Sequence, residues 1–250
     1  MTAISAMKIL PGLVFSWLAL CLAVAAEEGI EGQKKLVEEV ARLTDALGKS
    51  PDSIRLLSQR GDAHLFLGKF KEAVADFEKT IALDPAQDAP HWRLGIAYYF
   101  AGEFRKSSKQ FAKYHTYDGR DRENGVWKFL ADARSDGIEK ARGAMLEYTR
   151  FDREPFPSLY EMFAGKKSSE AVLKELDEKG LPKDGAAAFF ANYYVALNED
   201  LLGHHERALE LIAKAVASSW GKTAEGGPAY MWRVARRHVA ELSRPAQAKP

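Results

Sequence analysis

Cysteine is nearly absent from this chain: 250 residues hold one, Cys21. That excludes a disulfide framework and a cysteine-built zinc site. An excess of either charge is missing too. Thirty-six Lys and Arg stand against 35 Asp and Glu, a formal net charge of +1. No broad basic face therefore points to nucleic acid or to an anionic membrane. There is no glycine-rich phosphate loop, no Gly-x-Ser-x-Gly elbow and no His-x-x-x-His pair. These absences remove the commonest sequence signs of nucleotide binding, serine hydrolysis and helix-borne zinc. Carboxylates such as Asp132, Asp136, Glu147 and Asp152 are plentiful, but their spacing is that of helix surfaces and caps. The expectation is a protein that is not an enzyme and carries no cofactor or metal.

Long apolar runs are also scarce, with one exception. Residues 9–26, ILPGLVFSWLALCLAVAA, carry no charge. Lys8 precedes the run, and Ala23-Val24-Ala25 closes it, which is the order of a secretory signal peptide. Pro11-Gly12 interrupts it, which argues against a spanning helix of ~20 apolar residues. Residues 1–25 are therefore expected to be a cleaved signal, although Met7-Lys8 would make a tidier start than Met1. Residues 26–250 would form one helical domain, exported to a periplasm or medium. Lipidation of Cys21 would need a small residue before it, and Leu20 fits poorly, so a membrane partner is expected only if Cys21 is lipidated. The cleaved chain would have no cysteine, and its helices would hold by packing alone.

What the chain does have is a period. Gly61 and Gly95, Gly68 and Gly102, Phe70 and Phe104, and Phe77 and Phe111 are each 34 residues apart. A repeat of this length marks a stacked helix–turn–helix array, an all-α solenoid. Residues 32–48 first form an amphipathic helix with Leu36, Val37, Val40, Leu43 and Leu47 at helical spacing. Ser50-Pro51 then reads as the cap and first residue of the next helix. The first repeat is 54–87, with helices near Ile54–Leu67 and Lys71–Leu83. The second is 88–121, with a turn at Gly102-Glu103 and a second helix near Phe104–Tyr114. A degenerate third copy falls at 189–222, around Leu202-Gly203 and Glu206-Arg207-Ala208-Leu209. Linking helices fill 122–182: a helical stretch over 123–149 broken near Gly137, an apolar turn at Leu159–Phe163, and a helix at Glu170–Lys179 capped by Ser168 or Ser169. A last helix covers 229–242, with Trp232 and Val239 inward.

These segments resemble tetratricopeptide (TPR) repeats. Gly61, Gly68, Ala73, Phe77 and Pro85 match the pattern in the first copy, and Gly95, Tyr98, Gly102 and Phe111 in the second. Ser107 and Gly119 depart from it, where Ala and Pro are usual. The glycines would let paired helices approach, and Phe77 and Phe111 would fill the gap beyond. The part from Trp127 to Gly165, with its Pro-Ser-Leu-Tyr-x-x-Phe-x-Gly turn, is similar to NlpI-type periplasmic lipoproteins. That resemblance implies a homodimeric adaptor that tethers cell-wall hydrolases or a processing protease in the bacterial envelope. The TPR resemblance implies a concave face built from the first helix of each repeat. Arg55, Ser58, Asp62, Leu65 and Phe66 would line it first. Ala89, Trp92, Ile96, Tyr99 and Phe100 follow, then Phe190, Tyr193, Leu197, Asp200 and Leu201. The Lys/Asn set that clamps a C-terminal carboxylate is missing. The aromatic face, chiefly Phe66, Trp92, Ile96, Tyr99, Phe100, Phe190 and Tyr193, is expected either to grip a protein partner or to be filled by the chain's own middle helices.

Three further features have plainer readings. His204-His205 beside Glu206 is the one place that suggests a metal or an active site, but the pair lies in a turn. His64 is expected to be a packing residue. Arg233, Arg236 and Arg237 form a basic stripe expected on a solvated face. The alternatives to an adaptor are a metal-binding or enzymatic envelope protein using His204 and His205, and a purely self-associating module.

Overall fold

The computed structural model describes residues 32–244, which are all helix and connecting turn, with no strand among them. The signal-like run and Cys21 lie outside the described residues. Helix α1 covers residues 32–49. Its Leu43 and Leu47 pack on Leu56 and Leu57 of α2 (Ile54–Leu67). The N-cap of α2 is Ser53, whose hydroxyl accepts from Leu56 N at 3.4 Å. Ser50-Pro51 instead sits in the preceding turn, because Ser50 N is still bonded to Ala46 O. Helix α2 ends at Gly68, whose φ of 79° lets Lys69 N reach back to His64 O at 2.9 Å. Only a residue without Cβ enters that left-handed conformation without strain.

Helix α3 (Phe70–Leu83) returns along α2 and stops at Asp84-Pro85. The second pair is α4 (Trp92–Phe100) and α5 (Phe104–Tyr117), the latter one turn longer at its end than the repeat pattern suggests. The role read for the glycines holds at atomic scale. A Cβ on Gly61 would lie 2.6 Å from Phe77, and one on Gly95 would lie 2.7 Å from Phe111. Each phenylalanine is fully buried against its own repeat's glycine and also reaches the next helix: Phe77 touches His91, and Phe111 stacks near Trp127. Burying one such ring stabilises each repeat by about 2–3 kcal/mol.

The departure at Ser107 has a physical reason. Its buried hydroxyl donates to Gly95 O at 2.8 Å, so the hydroxyl that replaces the usual methyl is satisfied across the pair. Buried charges are likewise answered. Arg60 holds Asp76 with both nitrogens, at 2.9 and 2.6 Å, and His64 lies 3.2 Å from the same carboxylate. Burial alone would raise the Asp76 carboxyl, but the bonds from His64 and Arg60 outweigh it and hold it below its ordinary value. Arg93 crosses from the second repeat to Asp62 (2.6 Å) and Ser58 (2.7 Å) of the first, locking the stack.

Helix α6 (Arg122–Asp136) lies beside α5 where a third repeat's first helix would fall. Beyond it the regular array ends. Helix α7 (Ile138–Gly143) is short, and residues 145–149 are not helical, contrary to the helix expected through 149. Tertiary bonds have replaced helical ones there. Arg122 donates to Arg150 O at 2.6 Å, Tyr148 OH to Asp121 O at 3.1 Å, and Tyr160 OH to Leu146 O at 2.7 Å. The apolar turn expected at 159–163 is a two-turn helix, α8 (Phe156–Phe163), and α9 (Ser169–Glu178) is capped by Ser168.

The decayed third copy is a true helix pair, α10 (Ala186–Leu201) and α11 (His205–Ala217), turning at Gly203 with φ 85°. Residues 219–223 leave that pair and form a separate short helix, α12 (Ser219–Thr223). The last helix, α13 (Gly226–Leu242), starts earlier than expected, and its inward face differs. Met231, Val234, Ala235, His238 and Leu242 are buried, whereas Trp232 and Val239 are only half-buried. Trp232 turns aside onto Gly221 and donates to Val216 O at 3.0 Å.

Candidate functional site

Helix α13 lies along the concave side of the array. It packs on α2 at one end of the chain and on α11 and α12 at the other. Its Tyr230 meets Phe66 at 4.9 Å and Trp92 at 4.8 Å between ring centroids. Its His238 meets Phe100 at 4.8 Å and shares a hydrogen bond of 3.0 Å between Nδ1 and Tyr193 OH. The helix that covers Phe66, Trp92 and Phe100 is thus the C-terminal one, and apart from Phe156 of α8, which meets Phe190 at 5.2 Å, the middle helices do not fill the concave face. They extend the stack instead, with Trp127 of α6 edge-on to Tyr99 and donating to Tyr194 OH at 3.0 Å.

The seven aromatic and apolar side chains picked from the sequence divide accordingly. Tyr99, Phe100 and Tyr193 are buried beneath α13 and within the stack. Phe66 is buried under Tyr230 and Arg233, whose guanidinium sits 3.8 Å from the ring centroid. Trp92, Ile96 and Phe190 converge on a cavity of about 160 Å³ at the start of α13, which Gly227 and Pro228 border. Among the concave positions, Trp92 keeps partial exposure there.

The far wall of this cavity is polar, and sequence reasoning missed it. Asp121 caps α6 by accepting from Glu123 N at 3.1 Å, while Glu123 and Arg153 form an ion pair at 2.5 Å. Tyr194 OH donates to the other oxygen of Glu123. Burial raises the Glu123 carboxyl to about 7, against the opposing pull of Arg153. Burial also raises Asp121. Trp127 completes the wall. The available signal was the mixed-charge run Asp118–Glu123, but nothing local says that Arg153, 30 residues on, folds back to meet it. Chemically, the site offers an aromatic slot with one fixed cation and two carboxylates, suited to holding a side chain. No nucleophile–base pair is arranged in it.

His238 is the other group that the sequence did not single out for this site. Burial, with Arg134 adding repulsion, lowers its imidazole to about 3, so it sits neutral beneath the array. His204 and His205 each meet a carboxylate five residues back, Glu199 at 2.7 Å and Asp200 at 3.3 Å, and so tie the α10–α11 turn together. No group of three His, Cys, Asp or Glu suited to a metal occurs among the described residues. No helix among them is long and apolar enough to cross a membrane.

Paired antiparallel helices, left-handed glycine turns and the glycine–phenylalanine contact define a TPR-like α-solenoid. The comparisons agree. A family model described as TPR repeat matches residues 61–102. The chain is 28% identical over 137 residues to Hsp70-Hsp90 organizing protein 3 of Arabidopsis thaliana, covering 53% of this chain and 23% of that protein. It is 37% identical over 83 residues to the Protein SGT1 homolog of Oryza sativa subsp. japonica, covering 30% of this chain and 23% of that protein. A Bos taurus Protein SGT1 homolog is 29% identical over 85 residues, with shares of 34% and 25%. The chain spans a quarter or less of the length of these relatives. They are plant and animal proteins, so they support the repeats and not the narrower envelope family.

Proposed function

We propose that this chain is an exported adaptor that holds a protein partner by docking, without altering it chemically. One observation carries the docking: a TPR-type array keeps an aromatic slot with buried charges open beside Trp92, at the end of an otherwise occupied concave face. Aromatic residues at the mouth of a desolvated pocket are the usual anchors of protein interfaces. Export is supported by the apolar run 9–26 with its Ala23-Val24-Ala25 end. The resemblance of Trp127–Gly165 to NlpI-type adaptors supports a cell-wall hydrolase or a processing protease as partner, and a homodimer as the working form.

The name of the Arabidopsis thaliana relative carries Hsp70 and Hsp90, but the Lys/Asn set that clamps a carboxylate is missing here, which weighs against a chaperone-tail receptor. The test is co-purification of envelope proteins with the tagged chain, followed by Trp92→Ala. The expected result is loss of the partner with helicity unchanged by circular dichroism. Retention of the partner by a folded Trp92→Ala protein would rule this face out. Amino-terminal sequencing of the recovered chain at Ala26, and its size on a calibrated column, test export and dimerisation.

A further inference from the structure

The arginine stripe of α13 is solvated at Arg233, as its charge pattern suggests, but Arg236 and Arg237 are half-buried. Arg233, Arg236 and Arg237 line a groove of about 520 Å³ between α13 and α1. Its floor is apolar, made by Leu36 of α1, Phe66, Val216, Trp232 and Val239. Leu36, Trp232 and Val239 are only half-buried, so solvent reaches the floor. A groove of this size is in the range of sites that take a ligand or a peptide segment.

The charges around it are unbalanced. Arg237 has a partner, Glu241 at 2.7 Å. Arg233 and Arg236 instead lie over rings, Phe66 at 3.8 Å and Trp232 at 4.9 Å, and neither forms an ion pair with a carboxylate among the described residues. The carboxylate that lines the groove, Glu39, is 3.7 Å from Arg42 of its own helix. Burial lowers Arg233 and Arg237 from the ordinary guanidinium value. Arg233 feels the charges of Asp62 and Glu39 without touching either, and a guanidinium with no ion-paired carboxylate gains from an incoming one, which it binds in a two-pronged, charge-assisted way. Trp232 and Arg236 are i and i+4 on one helix face, so an anion on Arg236 is placed directly above the apolar floor.

We propose that this groove docks an acidic segment of the protein partner, its carboxylates on Arg233 and Arg236 and its alternate apolar side chains on Trp232, Val239 and Leu36. This rests on the adaptor reading above and gives that partner a chemistry. The groove lies on the α1 side of α13, separate from the Trp92 cavity.

The test is fluorescence anisotropy of the intact chain with a labelled peptide of alternating glutamate and leucine, against the same peptide with glutamine in place of glutamate. The acidic peptide binds at least about tenfold tighter, and salt weakens it as charges become screened. Arg236→Glu abolishes the preference, while Arg236→Lys keeps most of it; circular dichroism checks both folds. Equal binding of the two peptides, or no effect of Arg236→Glu in a folded protein, overturns the proposal. So does Arg236-dependent binding to phosphatidylglycerol vesicles without peptide binding, which would make the surface a lipid site. If the peptide binds only after Glu27, Glu28 and Glu31 are replaced by glutamine, the chain's own acidic stretch is the occupant, and the proposal fails. The adaptor reading is judged separately: a co-purified partner that Arg236→Glu retains and Trp92→Ala loses leaves that reading standing while this groove is ruled out.

Discussion

Residues 54–117 and residues 122–242 are both stacked helices, yet they close by different means. In the first stretch the ties inside each repeat are short in sequence, Gly61 on Phe77, Gly95 on Phe111, and Arg60 on Asp76, and the bond from Arg93 to Ser58 that joins the two repeats spans 35 residues. In the second, the ties span 45 residues for Tyr193 and His238, 67 for Trp127 and Tyr194, and 71 for Glu123 and Tyr194. The regular half is held by a motif that each repeat carries for itself. The irregular half is held by rings and buried charges that meet only after the chain has wound back. Repetition is therefore a sign of local closure, and its loss marks where long-range packing takes over.

The largest test of this contrast is Phe111→Ala. It removes a fully buried ring from a site that glycine has narrowed, and about 3–5 kcal/mol should be lost. For a chain of this size that is a fall of about 10 °C in Tm, read by calorimetry. Hydrogen exchange should speed up first in α4 and α5; equal acceleration throughout would mean the two halves do not differ in closure. Next comes His238→Ala, which deletes the buried partner of Tyr193 and should cost about 2–3 kcal/mol. Exchange should then rise in α13 and α10 and stay low in α2 and α3. Loss of protection in the repeats would show that α13 holds the first half as well.

A smaller effect separates two buried titrating groups. His238 has a lowered folded value, about 3, so its neutral form stabilises the fold above about pH 6.5, and that contribution is lost as pH falls. Glu123 has a raised value, about 7, so its protonated form stabilises at low pH, and that contribution is lost as pH rises through about 4.5 to 7. The two slopes oppose each other between about pH 5 and 6.5. In that window Glu123→Gln should melt more strongly with acid than the parent, while His238→Gln should gain Tm on acidification relative to it. Melting curves of the three proteins that stay parallel across pH would refute both assignments. The smallest effect is His205→Ala. Its ring is 44% exposed and pairs with Asp200 at the surface, so less than about 0.5 kcal/mol is expected, and a chelator should leave Tm unmoved.

Much of the fold was legible because its information is local. The glycines at 68, 102 and 203 have φ of 79°, 77° and 85°, and each was readable as a turn. Ser168 was readable as a cap, and the third copy was recoverable from Ala208 and its neighbours. The helix expected through residue 149 failed for an equally physical reason. The residues from Met145 onward are tied by Arg122, Tyr148 and Tyr160 to partners 14 to 28 residues away, and no window of sequence shows that competition. The candidate site was half legible. Trp92, Ile96 and Phe190 follow from repeat register, but Glu123, Arg153 and His238 belong to no period.

By itself, then, the sequence determined the helical period, the places of the turns, the glycine–phenylalanine pairing inside each repeat, and the aromatic character of the concave face. Each depends on residues within one helix pair, where spacing along the chain is nearly spacing in space. Only the tertiary structure decided that α13 lies along that face, which of its sides points inward, and that its arginines line a groove with α1. Those outcomes depend on which distant surfaces bury most apolar area together while leaving most buried polar groups a partner, and that choice is made by the whole chain at once.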